Sequence, residues 1–177
     1  HKRFELCFSF VSNGTVFKQS LIEKLMKFRR VGIEISIETL DQRNSYIRQG
    51  TDTDLVLKNI NNYIKLCNGT SITVTLRPAP SLLSIGSYYT LLNFALENKL
   101  VVKSILCSDP GFLDIEILPQ SIKNMYLNKY QEFIDSIPVG AEGSDHNASD
   151  PSNYATIIKE QGLMCIEVLK TPAPPDS

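Results

Sequence analysis

Four short segments of this chain read as strands, the first three alternating apolar with polar or small side chains at a period of two, and each is followed by a stretch with helical spacing. The segments are Arg3 to Val11 (RFELCFSFV), Val31 to Glu38 (VGIEISIE), Ser71 to Arg77 (SITVTLR) and Val101 to Ser108 (VVKSILCS). Their β-branched and aromatic residues suit a pleated backbone. The helical stretches begin at Ser20, Thr53, Ser84 and about Gln120. The first places Leu21, Ile22, Leu25, Met26 and Phe28 on one face, and the second groups Leu57, Ile60 and Ile64. Strand then helix, four times over, predicts βαβ crossovers and a parallel sheet. Asn13-Gly14 alone would favour a hairpin, but a helical run follows it, so it reads as the loop after a strand.

The alternation narrows the architecture further. Parallel strands buried on both faces read as continuous apolar runs. Here Ile33, Ile35 and Ile37 oppose Glu34, Ser36 and Glu38, and Ile72, Val74 and Leu76 oppose Thr73, Thr75 and Arg77. One face is fit to pack under helices and the other is polar. A partial (β/α) barrel whose lumen holds a polar guest accounts for this, with a sheet covered by helices on one side as the plainer alternative. The expected organisation is a partial barrel over residues 1–138. A linker, a short helix near Tyr154 to Glu160 with room to run on toward Leu169 past Gly162, and an extended Pro-rich tail then fill 139–177.

Composition excludes several function classes. The net charge of −1 gives no footprint for nucleic acid or an acidic membrane surface. No apolar run reaches the length of a membrane-spanning helix, and the start HKRFELCF does not resemble a secretory signal. Cys7, Cys67, Cys107 and Cys165 are too scattered for a zinc or iron–sulfur site and read as reduced cysteines of a cytoplasmic protein.

In a barrel of parallel strands, chemistry collects where strands end and loops begin. Those positions are Ser12-Asn13-Gly14-Thr15, Ser36-Ile37-Glu38-Thr39 leading to Tyr46-Ile47-Arg48-Gln49-Gly50, Arg77-Pro78, and Ser108-Asp109-Pro110. Their order resembles the core of radical S-adenosylmethionine (SAM) enzymes of the twitch or SPASM type. Ser12-Asn13-Gly14 is similar to that family's "TNG" loop, Ser36-Ile37-Glu38-Thr39 in part to "SIDG", and Tyr46, Arg48 and Gly50 to "yxRxG". Val56-Leu57-Lys58-Asn59-Ile60 resembles "vlxNIxxl", and Leu118-Pro119 with Lys123 resembles "LPxxxK". The resemblance covers about Phe4 to Tyr130. Each motif is weak alone, and their order and spacing together carry the likeness.

The resemblance implies four consecutive β/α units of a (β/α)6 barrel that binds SAM. Ser36 and Arg48 would clamp the methionyl carboxylate, a planar guanidinium fork and a hydroxyl being suited to it. Glu38 stands where the family has Asp, which puts its role in doubt; it could accept from ribose hydroxyls. Asn13 would shape the loop beside SAM, and Arg77 is a candidate SAM or substrate contact. Plainer readings are a surface Arg48 paired to Asp41 or Asp52, a Ser36 that fills a barrel layer, and an Asn13-Gly14 that is only a turn.

The family holds a [4Fe–4S] cluster on a CxxxCxxC loop, and this sequence has none. It begins with His1 at what resembles the third strand, so the cluster ligands are expected upstream, in a full-length parent. SAM cleavage to a 5′-deoxyadenosyl radical needs the cluster's electron, so this chain alone is expected to be inactive. The parent's substrate is left open, a peptide or another biosynthetic intermediate. Two other classes stay in view: a different (β/α)-barrel enzyme using Glu38, Asp109 or Arg77, and a non-catalytic half-barrel binding module. An open barrel is also expected to expose an edge strand and apolar surface.

Overall fold

A computed structural model describes residues 4–137 and 154–174. The chain divides into two compact units, His1–Arg77 and Pro78–Ser177. The fold class is α/β, with parallel strands joined through helices.

The first unit contains β1 (Phe4–Ser12), α1 (Gln19–Leu25), β2 (Phe28–Ile35), α2 (Arg43–Ile47), α3 (Thr53–Cys67) and β3 (Ile72–Leu76). β1 pairs parallel with β2, and β2 with β3, leaving β1 at the edge of the sheet. The register sets Phe10 beside Ile33 beside Val74, and Ser12 beside Ile35 beside Leu76. In-register neighbours of a parallel sheet share a face, so this face is apolar apart from Ser12 at its end, and the opposite one runs Val11, Glu34, Thr75. The two-faced pattern of the sequence is therefore present.

Helix α3 supplies much of the unit's core. Asp52 caps it by accepting from the Leu55 N–H at 3.1 Å, a cap worth about 1 kcal/mol. Val56 and Ile60 are fully buried with Ile33 and Ile35, each contributing about 2 kcal/mol through burial. Gly14 lies where this packing is tightest. Its φ is +74°, and a Cβ there would stand 2.9 Å from Ile35 Cγ2 and 3.0 Å from Val56 Cγ1.

Several boundaries differ from the sequence reading, and β2 ends at Ile35, short of the expected Glu38. Helix α1 stops at Leu25, and Phe28 belongs to β2 instead of the helix face. The Phe28 ring meets Phe8 of β1 edge-on, with centroids 5.2 Å apart, a cross-strand aromatic contact that draws this segment into the sheet. Leu21 is correspondingly exposed on α1. The edge strand carries exposed apolar side chains, as anticipated: Leu6, Phe8 and Val11 all face solvent.

The second unit contains α4 (Ile85–Glu97), β4 (Val101–Val102), two 3-10 turns (Gly111–Leu113 and Ile115–Ile117), α5 (Gln120–Ser136) and α6 (Tyr154–Lys170). β4 is much shorter than the expected 101–108. Its continuation directs backbone groups elsewhere: the Ser104 N–H donates to Gln161 Oε1 at 3.0 Å, and the Ile105 and Cys107 N–H groups donate to Pro78 and Pro80 carbonyls. Prolines have no N–H to return, so a full ladder cannot form along 78–80.

Helix α6 runs through Gly162 without a break to Lys170. A Cβ on Gly162 would lie 2.6 Å from Ile134 Cδ1 of α5, so the glycine lets the two helices approach. Lys123 is fully buried on α5, and its Nζ donates to the Glu116 carbonyl at 2.7 Å and the Thr171 carbonyl at 2.9 Å. The cation thereby sits at the C-terminal ends of a 3-10 turn and of α6, where carbonyls lack helical partners and the dipole favours positive charge. The linker expected over 139–153 lies outside the described residues.

Candidate functional site

All five sequence-selected residues fall in the first unit, at or beyond the C-terminal ends of its strands. The parallel arrangement accounts for this: every strand ends on the same side, and the loops that follow share that margin.

Ser36 follows β2 directly. Its N–H donates to the Ser12 carbonyl at 2.9 Å, so backbone pairing continues one residue past the strand. The side chain is half-buried. Glu34 and Ser36 lie two residues apart and share the polar face.

Glu38 and Arg48 meet. Arg48 Nη1 donates to Glu38 Oε1 at 2.8 Å, with the Glu38 side chain 6% exposed and that of Arg48 29% exposed. This answers the plainer reading of Arg48: its partner is Glu38, while Asp41 pairs with Arg43 and Asp52 caps α3. Arg48 Nε is buried and has no hydrogen-bond partner among the described residues. A dry, unpaired guanidinium N–H is costly unless a further acceptor meets it.

The local chain explains how residues ten apart come together. Thr39 to Ile47 turns back on itself, and the fully buried Asn44 accepts from the Glu38 N–H at 2.9 Å through Oδ1. Asn44 Nδ2 reaches Thr53 Oγ1 at 3.5 Å, a long contact to the first residue of α3. Asn44 also accepts through its backbone carbonyl from the Arg48 N–H at 2.8 Å. One asparagine thus fixes the backbones of both partners of the ion pair. Outside it, Asp41 is held below its ordinary pKa by hydrogen bonds from the Arg43 guanidinium, burial opposing the shift.

The loop after β1 is pinned by α3. Asn59 Nδ2 donates to the Gly14 carbonyl at 2.9 Å, and the Tyr63 hydroxyl to the Val16 carbonyl at 2.9 Å. Asn13 itself is exposed, and its Oδ1 accepts from the Thr15 N–H at 3.2 Å and the Thr15 hydroxyl at 2.8 Å. That is an Asx turn, so Asn13 shapes the loop from within. Arg77 is half-buried and its Nη1 donates to Glu34 Oε2 at 2.5 Å. The margin therefore carries two carboxylate–guanidinium pairs.

Comparison with protein-family models, with curated proteins and with solved structures finds no match to this chain.

The atoms of the margin suit a small zwitterion or carboxylate better than a metal. Among the described residues no group of three or more His, Cys, Asp or Glu side chains could hold a metal ion. Cys7 is exposed and Cys107 half-buried, while burial pushes the Cys67 thiol up to about 11 and the Cys165 thiol to about 12. Iron–sulfur ligation needs thiolates gathered together, which these positions do not provide. Arg48 brings an unpaired Nε–H and Ser36 a hydroxyl, donors of the kind a carboxylate accepts. Among the described residues no helix is long and apolar enough to cross a membrane.

Sequence reasoning passed over Asn44 and gave Asn59 no role. Asn59 had a signal, as the polar residue within an otherwise apolar helix face. Asn44 had none, since its burial depends on a turn that periodicity does not reveal.

Proposed function

We propose that residues 1–77 hold the amino-acid end of SAM in a partial β/α barrel of the radical SAM type, with Arg48 and Ser36 receiving the methionyl carboxylate. One observation carries this reading: Arg48 is anchored at the same margin as Ser36, by Glu38 at 2.8 Å, with its Nε buried and unpaired. A carboxylate there would complete a guanidinium that the protein alone leaves incomplete. In a full-length parent, SAM bound beside a [4Fe–4S] cluster would supply a 5′-deoxyadenosyl radical, and the cluster's ligands are not among these residues. The substrate would be a peptide or another biosynthetic intermediate. The residues of this chain would bind and orient; Asn44, Asn59 and the Asn13 turn keep the loops in place.

The test is calorimetric titration of the 177-residue chain with SAM, S-adenosylhomocysteine and 5′-methylthioadenosine. The first two carry the carboxylate and the third does not. They should bind at least about ten-fold more tightly than the third, one charge-assisted hydrogen bond being worth that much. Arg48→Ala should erase the difference and Ser36→Ala reduce it. Equal affinity for all three, or indifference to Arg48→Ala, refutes the assignment.

A further inference from the structure

We infer that the strand-start end of the first unit is a docking surface for an anionic lipid bilayer, held by Lys24, Lys27, Arg29, Arg30 and Lys65, with Leu6 entering the headgroup layer. The inference is independent of the SAM reading, since the margin that carries Ser36 and Arg48 lies at the opposite end of the same strands.

The net charge of −1 averages over two units of opposite sign. Residues 1–77 hold twelve Lys or Arg against seven Asp or Glu, and residues 78–177 hold six against twelve. Within the first unit the charges separate again, along the strands. Glu34, Glu38 and Asp41 stand toward the strand ends, each with an arginine partner, and Asp52 and Asp54 open α3 on the same side. In a β/α unit the helix runs back against the sheet, so its last turn lies beside the start of the next strand. Lys24 closes α1, Lys27 follows in the turn, Arg29 and Arg30 begin β2, and Lys65 lies in the last turn of α3. The topology therefore gathers these five at one end. Two bonds tie that end together: the Ser71 hydroxyl donates to the Met26 carbonyl at 3.3 Å, and the Val31 N–H to the Ser71 carbonyl at 3.0 Å.

Local structure accounts for only part of this set. Lys24 and Lys65 offset the negative ends of their helices. Lys27 and Arg30 have no such task; both are exposed, and neither makes a salt bridge among the described residues. The acids on this side are Glu5, which reaches Arg29 at 3.7 Å in open solvent, and Glu23, which accepts from Gln19 at 2.8 Å. Five cations less two carboxylates leave a surplus of about three charges, worth roughly a hundred-fold in partitioning to an anionic surface. The shape of the end selects among polyanions. Its side chains protrude, with Arg29 68% exposed and Leu6 64% exposed. Leu6 lies where the pairing of β1 with β2 slips, between Phe4 and Cys7 and next to the Glu5–Arg29 pair. Protruding cations around an exposed leucine suit a plane of fluid headgroups, which yields to each side chain, better than a rigid polynucleotide or a folded acidic protein.

The experiment is co-sedimentation of the 177-residue chain with vesicles of pure phosphatidylcholine, and with vesicles of equal parts phosphatidylcholine and phosphatidylserine. The anionic vesicles should be preferred by about a hundred-fold, and the preference should collapse at roughly 1 M salt, where the Debye length is about 3 Å. Lys27→Gln, Arg29→Gln and Arg30→Gln together should remove most of it. Lys99→Gln, Lys129→Gln and Lys170→Gln together take the same charge from the second unit and should leave binding unchanged. Leu6→Ser should weaken binding several-fold. All seven side chains are exposed, so each variant should keep the wild-type melting transition, and the salt dependence of the wild type reads the proposal without any variant. Equal binding to both kinds of vesicle overturns the inference. So does an equal loss in the two triple variants, which would trace binding to net charge and not to this end. Tighter capture of single-stranded DNA or of poly-L-glutamate than of the anionic vesicles, with no response to Leu6→Ser, assigns the end to a polynucleotide or an acidic protein and overturns it too.

Discussion

Two buried charges, one in each unit, are stabilised in opposite ways. Glu38 in the first unit is neutralised by a full opposite charge, Arg48, which remains partly open to solvent and keeps one N–H unpaired. Lys123 in the second is entirely enclosed, and among the described residues it has no carboxylate within ion-pair distance; two backbone carbonyls hold it. The difference separates a group built into the fold from one suited to exchange. Carbonyls at helix ends cannot leave without unwinding the helix, so Lys123 is structural. A guanidinium on a long, partly exposed side chain can change partners by turning its own torsions, so of the two charges Arg48 is the one free to exchange without unwinding the fold.

The contrast can be broken by removing each charge in turn. Lys123→Met should cost the most, about 3 kcal/mol, because it leaves two dry carbonyls unanswered; urea denaturation followed by circular dichroism measures it. Next comes Gly14→Ala, about 2 kcal/mol, from the left-handed backbone and the contacts with Ile35 and Val56. If it also weakens SAM, the loop after β1 belongs to the site. Arg48→Met should cost about 2 kcal/mol of stability, because it leaves the nearly buried Glu38 carboxylate without its guanidinium, and abolish carboxylate discrimination. A larger stability loss for Arg48→Met than for Lys123→Met would invert the comparison.

Smaller effects sharpen it. Native alkylation at pH 8 should label Cys7 first and Cys107 next, leaving Cys67 and Cys165 untouched until unfolding, because burial keeps both as thiols. Those raised values also set a sign. The unfolded thiols ionise near the ordinary value of 9.0 while the folded ones do not, so stability falls as pH rises from there toward about 12. The smallest effect belongs to Asp41. Its lowered pKa adds stability above the ordinary value of 3.8 that is lost as pH falls through the folded value. Asp41→Asn should flatten the acid limb of a melting-temperature profile slightly.

Much of the scaffold was legible in the chain. Period-two alternation located the strands of the first unit and their polar face, and the helical spacing from Thr53 placed the start of α3 correctly. The length of β4 was not legible, because prolines at 78 and 80 act from elsewhere in the sequence. Nor was the extent of β2, where an aromatic contact with Phe8 outweighs the helical spacing of Phe28. At the site, Ser36, Glu38 and Arg48 stood out as rim residues. Their pairing was hidden because it depends on Asn44, whose contacts arise only once the Thr39–Ile47 segment has turned.

Gly162 has a consequence for how the second unit can vary. The nearest atom there is the terminal methyl of Ile134, with the Phe133 ring 3.6 Å away. A methyl added at 162 would be met first by a turn of the Ile134 side chain, so the seam between α5 and α6 can admit a small residue by repacking one neighbour and a large one only by parting the helices.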